Sequence, residues 1–389
     1  MDLDAFRWLL TDDGAALLDR ATDLAGGPEL GVQAELRRTA SPEQVAAALT
    51  QVGLRARGAA KFGSDAAAMF FTPDGLEQAT RTRVATHRAG RLQAFGTATL
   101  VDLGCGIGGD LVASARAGIT CAGVDLDPLR VAVAEANLAA LGLPGAVMVA
   151  DVSEVDTSPF EVAFADPARR TGAGRSFRVE DWTPPWHFVE TLLARDSCVK
   201  VAPGIPHDLV PAGVEAEWVS DHGEVKEAAL WSGRLATTAR RATVIGDGGL
   251  ATLTEDDDPG AAAVGVRAPA EFLYEPDGAV IRAGLVTAVA AGVQGGLVDE
   301  HIAYVTSDAS FRTPFARGYR VLEALPYREK QLKAALRERG IGRLTIKKRG
   351  VDVVPEQLRK RLALRGDNEA TLVLTRVAGG GIALLVEPV

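Results

Sequence analysis

The chain has 389 residues and a formal net charge of −9, with 42 Lys and Arg against 51 Asp and Glu. Hydrophobic residues make up 47% of it and charged residues 24%, which excludes a disordered or fibrous chain and allows two or three domains. Taken as a total, the acidic charge argues against a nucleic-acid partner, because phosphate binding depends on Lys and Arg.

Neither the cysteines nor the histidines form a recognisable site in the sequence. The 3 Cys and 5 His are scattered, without the spacing of a redox pair, a disulfide framework or a metal site. Residues 1–4 are acidic where a secretory signal is basic, and the uncharged stretch at residues 283–298 is Gly-rich and too short to span a bilayer. We therefore expect a cytoplasmic protein that binds no metal and does not enter the membrane.

Residues 1–95 are predicted to be helical. Apolar residues recur there at helical spacing, and no stretch alternates with the period of two that strands show. Pro42 after Ser41, and Pro73 after Thr72, each mark the start of a helix with a side-chain cap. This block is predicted to be a helical extension that packs on the domain that follows it.

From residue 96 the pattern changes to short apolar strands that alternate with helices. The alternation is typical of βαβ units and indicates an α/β domain with a doubly wound parallel sheet between residues 96 and 246. Helices are predicted at 110–117 and 128–141, and strands at 97–103, 119–125, 146–150, 162–165, 197–202, 214–219, 227–231 and 242–245.

The last third of the chain differs in charge and in pattern. An acidic tract at 255–258 lies in a connecting region of uncertain class, 247–311, in which residues 283–292 are a candidate buried helix. Residues 312–389 are predicted to form a small α+β domain, with helices at 328–339 and 355–364 and strands at 343–348, 370–376 and 381–386. Residues 312–376 hold 17 Lys and Arg and 7 Asp and Glu, a net charge of +10, which leaves −19 for the rest of the chain.

The turn after the first strand of the sheet predicts a nucleotide site. Gly104, Gly106 and Gly109 match the G-x-G-x-x-G pattern, in which glycines let the backbone approach a ligand at a helix N-terminus. Asp125, 21 residues after Gly104, ends the second strand and is placed to hold ribose hydroxyls. Both a nicotinamide dinucleotide and S-adenosylmethionine fit these features.

Two further acids favour S-adenosylmethionine. Asp102 lies just before the glycines, where a carboxylate attracts an amino group and repels a pyrophosphate, and Asp151 ends the third strand, where it can accept a hydrogen bond from adenine. The string Val101-Asp102-Leu103-Gly104-Cys105-Gly106-Ile107-Gly108 resembles the first motif of class I S-adenosylmethionine-dependent methyltransferases. The resemblance implies a Rossmann-like methyltransferase sheet with cofactor contacts from Asp102, Gly104, Gly106, Gly108, Asp125 and Asp151.

The corner after the fourth strand is the predicted catalytic site. Asp166 and Pro167 lie at the edge where doubly wound sheets bind ligands, and the carboxylate and a backbone carbonyl there can orient a substrate amine. The corner resembles the Asp/Asn-Pro-Pro-aromatic motif of enzymes that methylate amino groups of nucleobases, although Ala168 and Arg169 replace the second proline and the aromatic residue. The resemblance implies catalytic roles for Asp166, Pro167 and Arg169. Arg170 and Trp182, which lie nearby in the sequence, are candidate substrate contacts, and Trp182 is one of three aromatic residues there that could replace the missing ring.

Two shorter resemblances lie outside the sheet. Met69-Phe70-Phe71-Thr72-Pro73-Asp74-Gly75 resembles the Phe-x-x-Thr-Pro-Glu segment of trimethylguanosine synthase and its bacterial relatives, which implies that Phe71 and Thr72 contact substrate. Residues 341–352 resemble the THUMP-like module at the C-terminus of some bacterial methyltransferases, and true THUMP modules bind tRNA. The candidate phosphate contacts are the basic residues of this region, Lys347, Lys348, Arg349, Arg359, Lys360 and Arg361.

These features predict an S-adenosylmethionine-dependent RNA methyltransferase that acts on a nucleobase, with an amino nitrogen of tRNA or rRNA as the target. Divided by segment, the acidic total charge no longer argues against RNA. Two alternatives remain open. A methyltransferase that acts on DNA, a protein or a small molecule would not need the basic domain, and a non-catalytic RNA-binding protein would keep only a vestigial cofactor fold. The intact set of Asp102, Gly104, Gly106 and Asp125 argues against the second alternative.

Overall fold

The computed structural model describes residues 1–167, 170–171, 174–175, 184–377 and 379–389. The chain divides into two compact units, Met1–Val214 with Ala229–Thr237, and Glu215–Ala228 with Thr238–Val389. This division groups the chain differently from the four predicted segments, which stay a prediction.

Helices form the first part of the first unit, as predicted. Ser41 and Gln44 form a capping box at the start of the fourth helix, and the Thr72 hydroxyl caps the fifth, so both predicted starts are confirmed. The apolar faces of the first four helices pack together around residues such as Leu9, Leu18 and Ala48. The helices are α1 Leu3–Leu9, α2 Asp12–Asp23, α3 Glu29–Leu36, α4 Pro42–Phe62, α5 Pro73–Gln78 and α6 Thr82–Ala94.

A parallel sheet follows, with the predicted alternation of strands and helices. Its strands are β1 Thr99–Leu103, β2 Thr120–Asp125, β3 Ala146–Val149, β4 Val162–Ala165 and β7 Ser197–Val201, and the helices are α7 Gly109–Arg116, α8 Pro128–Ala140 and α9 Trp186–Leu193. The order is β7-β4-β1-β2-β3, so the direction of winding reverses between β1 and β4. Ligands bind beyond the carboxyl ends of the strands at such a reversal. A two-stranded ribbon, β5 Arg170–Thr171 and β6 Gly174–Arg175, follows β4.

The second unit contains more strands than the sequence predicts. Its first strands are β8 Glu215–Asp221, β9 Glu224–Ser232 (up to residue 228), β10 Arg240–Gly246 and β11 Gly249–Thr254, and β10 pairs in parallel with β8 and antiparallel with β11. The connecting region of uncertain class then supplies α10 Ala261–Val264, β12 Phe272–Pro276, α11 Gly278–Ala283, α12 Val286–Gly292, β13 Gly296–Asp299 and β14 Ile302–Ser307. The candidate helix at 283–292 is therefore shorter than predicted: Gly284 takes the left-handed conformation and ends α11, so α12 begins at Val286.

The C-terminal elements are β15 Ala316–Leu325, α13 Glu329–Glu338, β16 Ile341–Lys348, α14 Pro355–Leu362, β17 Asn368–Val377 and β18 Gly380–Pro388. The predicted α+β pattern is confirmed, and β15 is an addition. All four strands join β12, β13 and β14 in a sheet of order β13-β14-β12-β15-β18-β17-β16. Both helices pack on one face, where Leu332, Leu336, Leu358 and Leu362 meet alternate residues of the strands such as Leu372. Within the described ranges, no helix is long and apolar enough to cross a membrane.

Candidate active site

The glycine loop between β1 and α7 takes a backbone shape that other residues rarely adopt. Gly104, Gly106 and Gly108 have φ angles of +90°, +56° and +82°. A Cβ on Gly108 would lie 3.1 Å from the Cβ of Ala134 in α8, so this part of the loop lies against the next helix of the sheet domain. The three predicted glycines are therefore needed for the path of the chain, and they leave backbone rather than side chains at the sheet edge.

Asp125 holds this loop from the neighbouring strand. The carboxylate lies at the end of β2 and is 6% exposed. Its Oδ2 accepts a hydrogen bond from the Gly106 N–H at 3.0 Å, and its Oδ1 accepts one from the Asp127 N–H at 3.0 Å. A carboxylate has about four lone-pair sites, so these bonds leave capacity for the predicted ribose contact.

Asp102 is the most unusual group of the site. It lies within β1, is 1% exposed, and neither carboxylate oxygen has a hydrogen-bond partner within the described structure. Burial raises the pKa of this carboxyl well above its usual range, and the nearby carboxylates of Asp110, Asp166 and Asp125 add to the effect while Arg88 opposes it. A buried carboxyl with no protein partner is suited to a cationic ligand, such as the amino group of a methionine moiety.

Arg88, which the sequence analysis did not single out, lies beside this acidic group. It belongs to α6, is 4% exposed, and forms an ion pair with Asp110 in the first turn of α7. Its guanidinium carbon also lies 4.5 Å from the centre of the Phe164 ring in β4. No motif marks Arg88, because its partners are separated from it in sequence and meet only through the packing of α6 on α7.

Asp151 lies two residues past the end of β3 and is exposed. Its Oδ1 accepts hydrogen bonds from the Ser153 hydroxyl at 2.7 Å and the Ser153 N–H at 2.9 Å. These bonds, led by the one from the hydroxyl, lower the pKa of the Asp151 carboxyl, so it is ionised at neutral pH. Its exposed carboxylate is consistent with an acceptor for a ligand at the rim of the sheet, and the adenine contact stays a prediction.

Asp166 follows β4 directly, as predicted, and has a partner that the sequence did not indicate. The Lys200 ammonium lies 2.5 Å from Asp166 Oδ2 and 3.1 Å from the Thr80 hydroxyl. A Cβ placed on Gly104 would lie 3.8 Å from the Asp166 carbonyl oxygen, so the predicted catalytic corner and the glycine loop adjoin. Pro167 continues from this corner.

Three predicted residues of the corner have no described side chain. Arg169 and Trp182 lie outside the described residues, and for Arg170 only the backbone, in β5, is described. Their catalytic and substrate roles stay predictions.

The Phe71–Thr72 segment packs against the glycine loop. The Thr72 hydroxyl accepts a hydrogen bond from the Gly75 N–H at 3.0 Å, and a Cβ on Gly75 would lie 2.4 Å from a methyl carbon of Ile107, within the loop. Phe71 is fully buried, and its ring lies 5.4 Å from that of Phe62. In the structure the Phe71 side chain is therefore part of the core, and its contact with substrate stays a prediction.

The candidate phosphate contacts of the second unit differ in how they are held. Lys347 donates to Glu275 at 2.6 Å, Arg359 pairs with Glu356 at 3.3 Å, and Arg361 pairs with Glu329 at 3.0 Å. The guanidinium carbon of Arg349 lies 5.6 Å from the Tyr304 ring centre. Lys348 and Lys360 are exposed and form no ion pair with the part of the chain that the structure describes. Exposed cations without acidic partners remain the better candidates for phosphate.

Family models match both ends of the chain, and two named relatives match most of its length. The family model described as THUMP domain-like matches residues 316–388, and a domain of unknown function (DUF8688) matches residues 2–58. Two proteins of Mycobacterium tuberculosis, from strains CDC 1551 and H37Rv, are each named as an uncharacterized S-adenosylmethionine-dependent methyltransferase. Each is 38% identical over 343 residues, which cover 85% of this chain and 92% of the relative.

A solved structure shows the same fold over nearly the whole length. A crystal structure from Porphyromonas gingivalis W83, of a protein assigned as a methyltransferase, superposes with a TM-score of 0.74 at 21% identity. The superposition covers 99% of this chain and 97% of the chain from Porphyromonas gingivalis. The Rossmann-like sheet, the helical N-terminal part and the THUMP-like C-terminal domain predicted from the sequence are confirmed, and of the two nucleotide ligands left open, S-adenosylmethionine is the cofactor. The chain belongs to the S-adenosylmethionine-dependent methyltransferases.

Proposed function

We propose that this methyltransferase acts on RNA and methylates a nucleobase, with an exocyclic amino nitrogen of tRNA or rRNA as the target. The observation that carries the proposal is the combination in one chain of a methyltransferase site with a carboxylate at the end of β4 and a THUMP-like domain with excess positive charge. The first suits an amine substrate, and the second suits a polyanion.

The proposed site consists of four acids and a glycine loop, and three of the acids would hold the cofactor together with the loop. Asp102 would face the methionine amino group, Asp125 the ribose hydroxyls and Asp151 the adenine, while the loop backbone approaches closely at Gly104 and Gly106. When bound, S-adenosylmethionine supplies an electrophilic methyl group on a sulfonium centre. The remaining acid, Asp166, lies beyond the cofactor residues at the switch point of the sheet.

Asp166 and Pro167 would orient the substrate amine. Asp166 Oδ2 is held by Lys200, whereas Oδ1 accepts no hydrogen bond from the described residues. Two acceptors, Asp166 Oδ1 and the Pro167 carbonyl, fix the two N–H bonds of an –NH2 group and thereby aim its lone pair. Holding a nucleophile in this way supplies part of the rate acceleration. The proton that the methylated nitrogen loses passes to Asp166 or to water.

The second unit would bind the RNA backbone. The segment 312–376 has a net charge of +10, although several of its cations, including Arg339 and Arg343, are engaged by glutamates. The exposed residues Lys348 and Lys360 are not, and an acidic remainder with a net charge of −19 makes this domain the attractive surface for a polyanion.

Nucleoside mass spectrometry tests the proposal directly. RNA from cells with and without the protein is digested, and the modified nucleosides are compared. We expect one methylated nucleoside, an N-methylated base, to disappear from the tRNA or rRNA fraction in cells without the protein, and to return when the purified protein and S-adenosylmethionine are added to that RNA. Identical nucleoside profiles in both RNAs, together with methyl transfer to DNA or protein in the same extract, would contradict it.

A further inference from the structure

A buried lysine lies at the catalytic corner, opposite the carboxylate. Strands β4 and β7 are parallel neighbours with Ala165 paired to Val199, so the next residues along the two strands are Asp166 and Lys200. Lys200 is 7% exposed, and its ammonium lies 2.5 Å from Asp166 Oδ2. Burying an ammonium is costly unless a charge and hydrogen bonds compensate, so this lysine is held where it is by specific partners.

The second partner of Lys200 comes from the helical part of the chain. Thr80, in the turn between α5 and α6, is 7% exposed and accepts a hydrogen bond from the Lys200 ammonium at 3.1 Å. A Cβ on Gly109 would lie 3.8 Å from the Thr80 carbonyl oxygen, so the same turn lies against the first residue of α7. Lys200 thus joins β4, β7 and the turn that adjoins the glycine loop.

The charges around the corner explain why a cation is needed. Asp102 interacts electrostatically with Asp166, Asp110 and Asp125, and Asp110 is engaged by Arg88. A carboxylate among other carboxylates is repelled into other rotamers or loses its charge unless a cation opposes the repulsion. Lys200 supplies a cation that contacts Asp166 directly.

We infer that Lys200 is a positioning residue for methyl transfer: it fixes Asp166 through Oδ2, leaves Oδ1 for the substrate amine, and ties that arrangement to the helical extension through Thr80. The inference rests on the proposed role of Asp166. It predicts that Lys200 affects turnover more than cofactor binding, because its ammonium contacts Asp166, the acid that orients the substrate.

Four variants test this role. Lys200→Met removes the charge at similar length, Lys200→Arg keeps it, and Thr80→Val removes only the hydroxyl. Lys226→Met, which removes a lysine paired with Glu224 in β9, is the control for loss of a partly buried ion pair elsewhere. The assay follows transfer of the tritiated methyl group of S-adenosylmethionine to total RNA from cells that lack the protein, with cofactor affinity measured by calorimetry.

For Lys200→Met we expect kcat to fall about 100-fold, while the KM and the Kd for S-adenosylmethionine stay within about threefold of wild type. We expect the kcat of Lys200→Arg to be about tenfold higher than that of Lys200→Met and the kcat of Thr80→Val to be about threefold lower than that of wild type. The kcat of Lys226→Met should equal that of wild type. A purely structural role would instead lower cofactor affinity along with kcat. Wild-type kcat in Lys200→Met would overturn the inference.

The double variant Asp166→Ala/Lys200→Met separates this inference from the proposed function. If Lys200 acts through Asp166, the double variant turns over no more slowly than Asp166→Ala alone, whereas multiplied losses overturn the inference. If the wild-type protein transfers no methyl group to RNA, the proposed function fails. Melting temperatures then test whether Lys200 and Asp166 stabilise the fold as a pair. Each single variant leaves one buried charge without its partner and melts lower, and the double variant recovers part of the loss; strictly additive losses overturn the pairing.

Discussion

The candidate active site of the first unit and the basic domain of the second unit use charge in opposite ways. In this site, Asp102 and Asp125 are buried and Asp166 is partly exposed. Asp125 accepts hydrogen bonds from two backbone N–H groups and Asp166 pairs with Lys200, whereas the Asp102 oxygens have no hydrogen-bond partner among the described residues. In the basic domain, cations such as Lys348 and Lys360 are exposed. Buried charges fix one geometry, whereas exposed charges supply an attraction that depends on their number and on salt.

This contrast predicts that single changes in the candidate active site have large effects on turnover or on cofactor affinity, whereas changes in the basic domain have smaller effects on RNA affinity. The largest effect is expected at the orienting acid. Asp166→Ala removes the acceptor for the substrate amine, and we expect kcat to fall about 1,000-fold while the Kd for S-adenosylmethionine stays within about threefold. Single-turnover methyl transfer and calorimetry measure the two quantities. Unchanged turnover would contradict the catalytic assignment.

The next effect concerns cofactor affinity. Asp102→Asn keeps the shape of the side chain but removes the charge that would face the methionine amino group, and we expect the Kd for S-adenosylmethionine to rise about 100-fold. Asp151→Asn is the matched control at an exposed acid, for which we expect a rise of about tenfold or less. Equal losses in the two variants would show that burial of Asp102 contributes nothing to recognition.

A smaller effect is expected in the basic domain. Reversing two exposed cations, Lys348→Glu with Lys360→Glu, is expected to weaken RNA binding about tenfold and to reduce the slope of log affinity against log salt by about two. The control reverses two exposed arginines of the helical extension, Arg7→Glu with Arg57→Glu, and keeps the wild-type slope. Filter binding of bulk tRNA at several salt concentrations measures both. A slope equal to that of wild type would exclude the two lysines as phosphate contacts.

The sequence predicted many helix and strand elements of the first unit because local rules determine them. Residues that are close in sequence determine the positive φ of the glycines, the caps at Ser41 and Thr72, and the alternation of strands with helices. The same reasoning missed strands β12–β14 in the connecting region. Strand β14 pairs with β12 and β13, and β12 also pairs with β15, and no local sequence pattern shows these pairings.

Lys200 and Arg88 were missed for a similar reason. Lys200 is 34 residues from Asp166 and 120 residues from Thr80, and neither spacing forms a motif. The sequence offered one indication of this pair, a lysine within the apolar strand at 197–201, because a lysine in such a strand needs a partner for its charge. Conversely, the aromatic Phe71 fitted a family segment, yet its buried position follows from packing that the segment does not encode.

The smallest expected effect tests whether the burial of Asp102 favours cofactor binding at the expense of the stability of the free protein. The pKa of its carboxyl is raised in the fold, chiefly by burial, so between pH 4 and that raised value the folded chain holds a proton that the unfolded chain has lost. The contribution of this group to stability is therefore complete at low pH and falls as pH rises.

Asparagine cannot lose such a proton, so the free Asp102→Asn protein should melt higher than wild type, by about 2–4 °C at pH 8 and by less at pH 5. Saturating S-adenosylmethionine should reverse the order at pH 8, because the ionised carboxylate then gains a cationic partner while the asparagine binds the cofactor weakly. Scanning calorimetry at both pH values, with and without cofactor, measures this. A difference in melting temperature that is the same at pH 5 and pH 8 would show that Asp102 does not titrate in this range, and the buried acid would then be no different in kind from the paired charges of the basic domain.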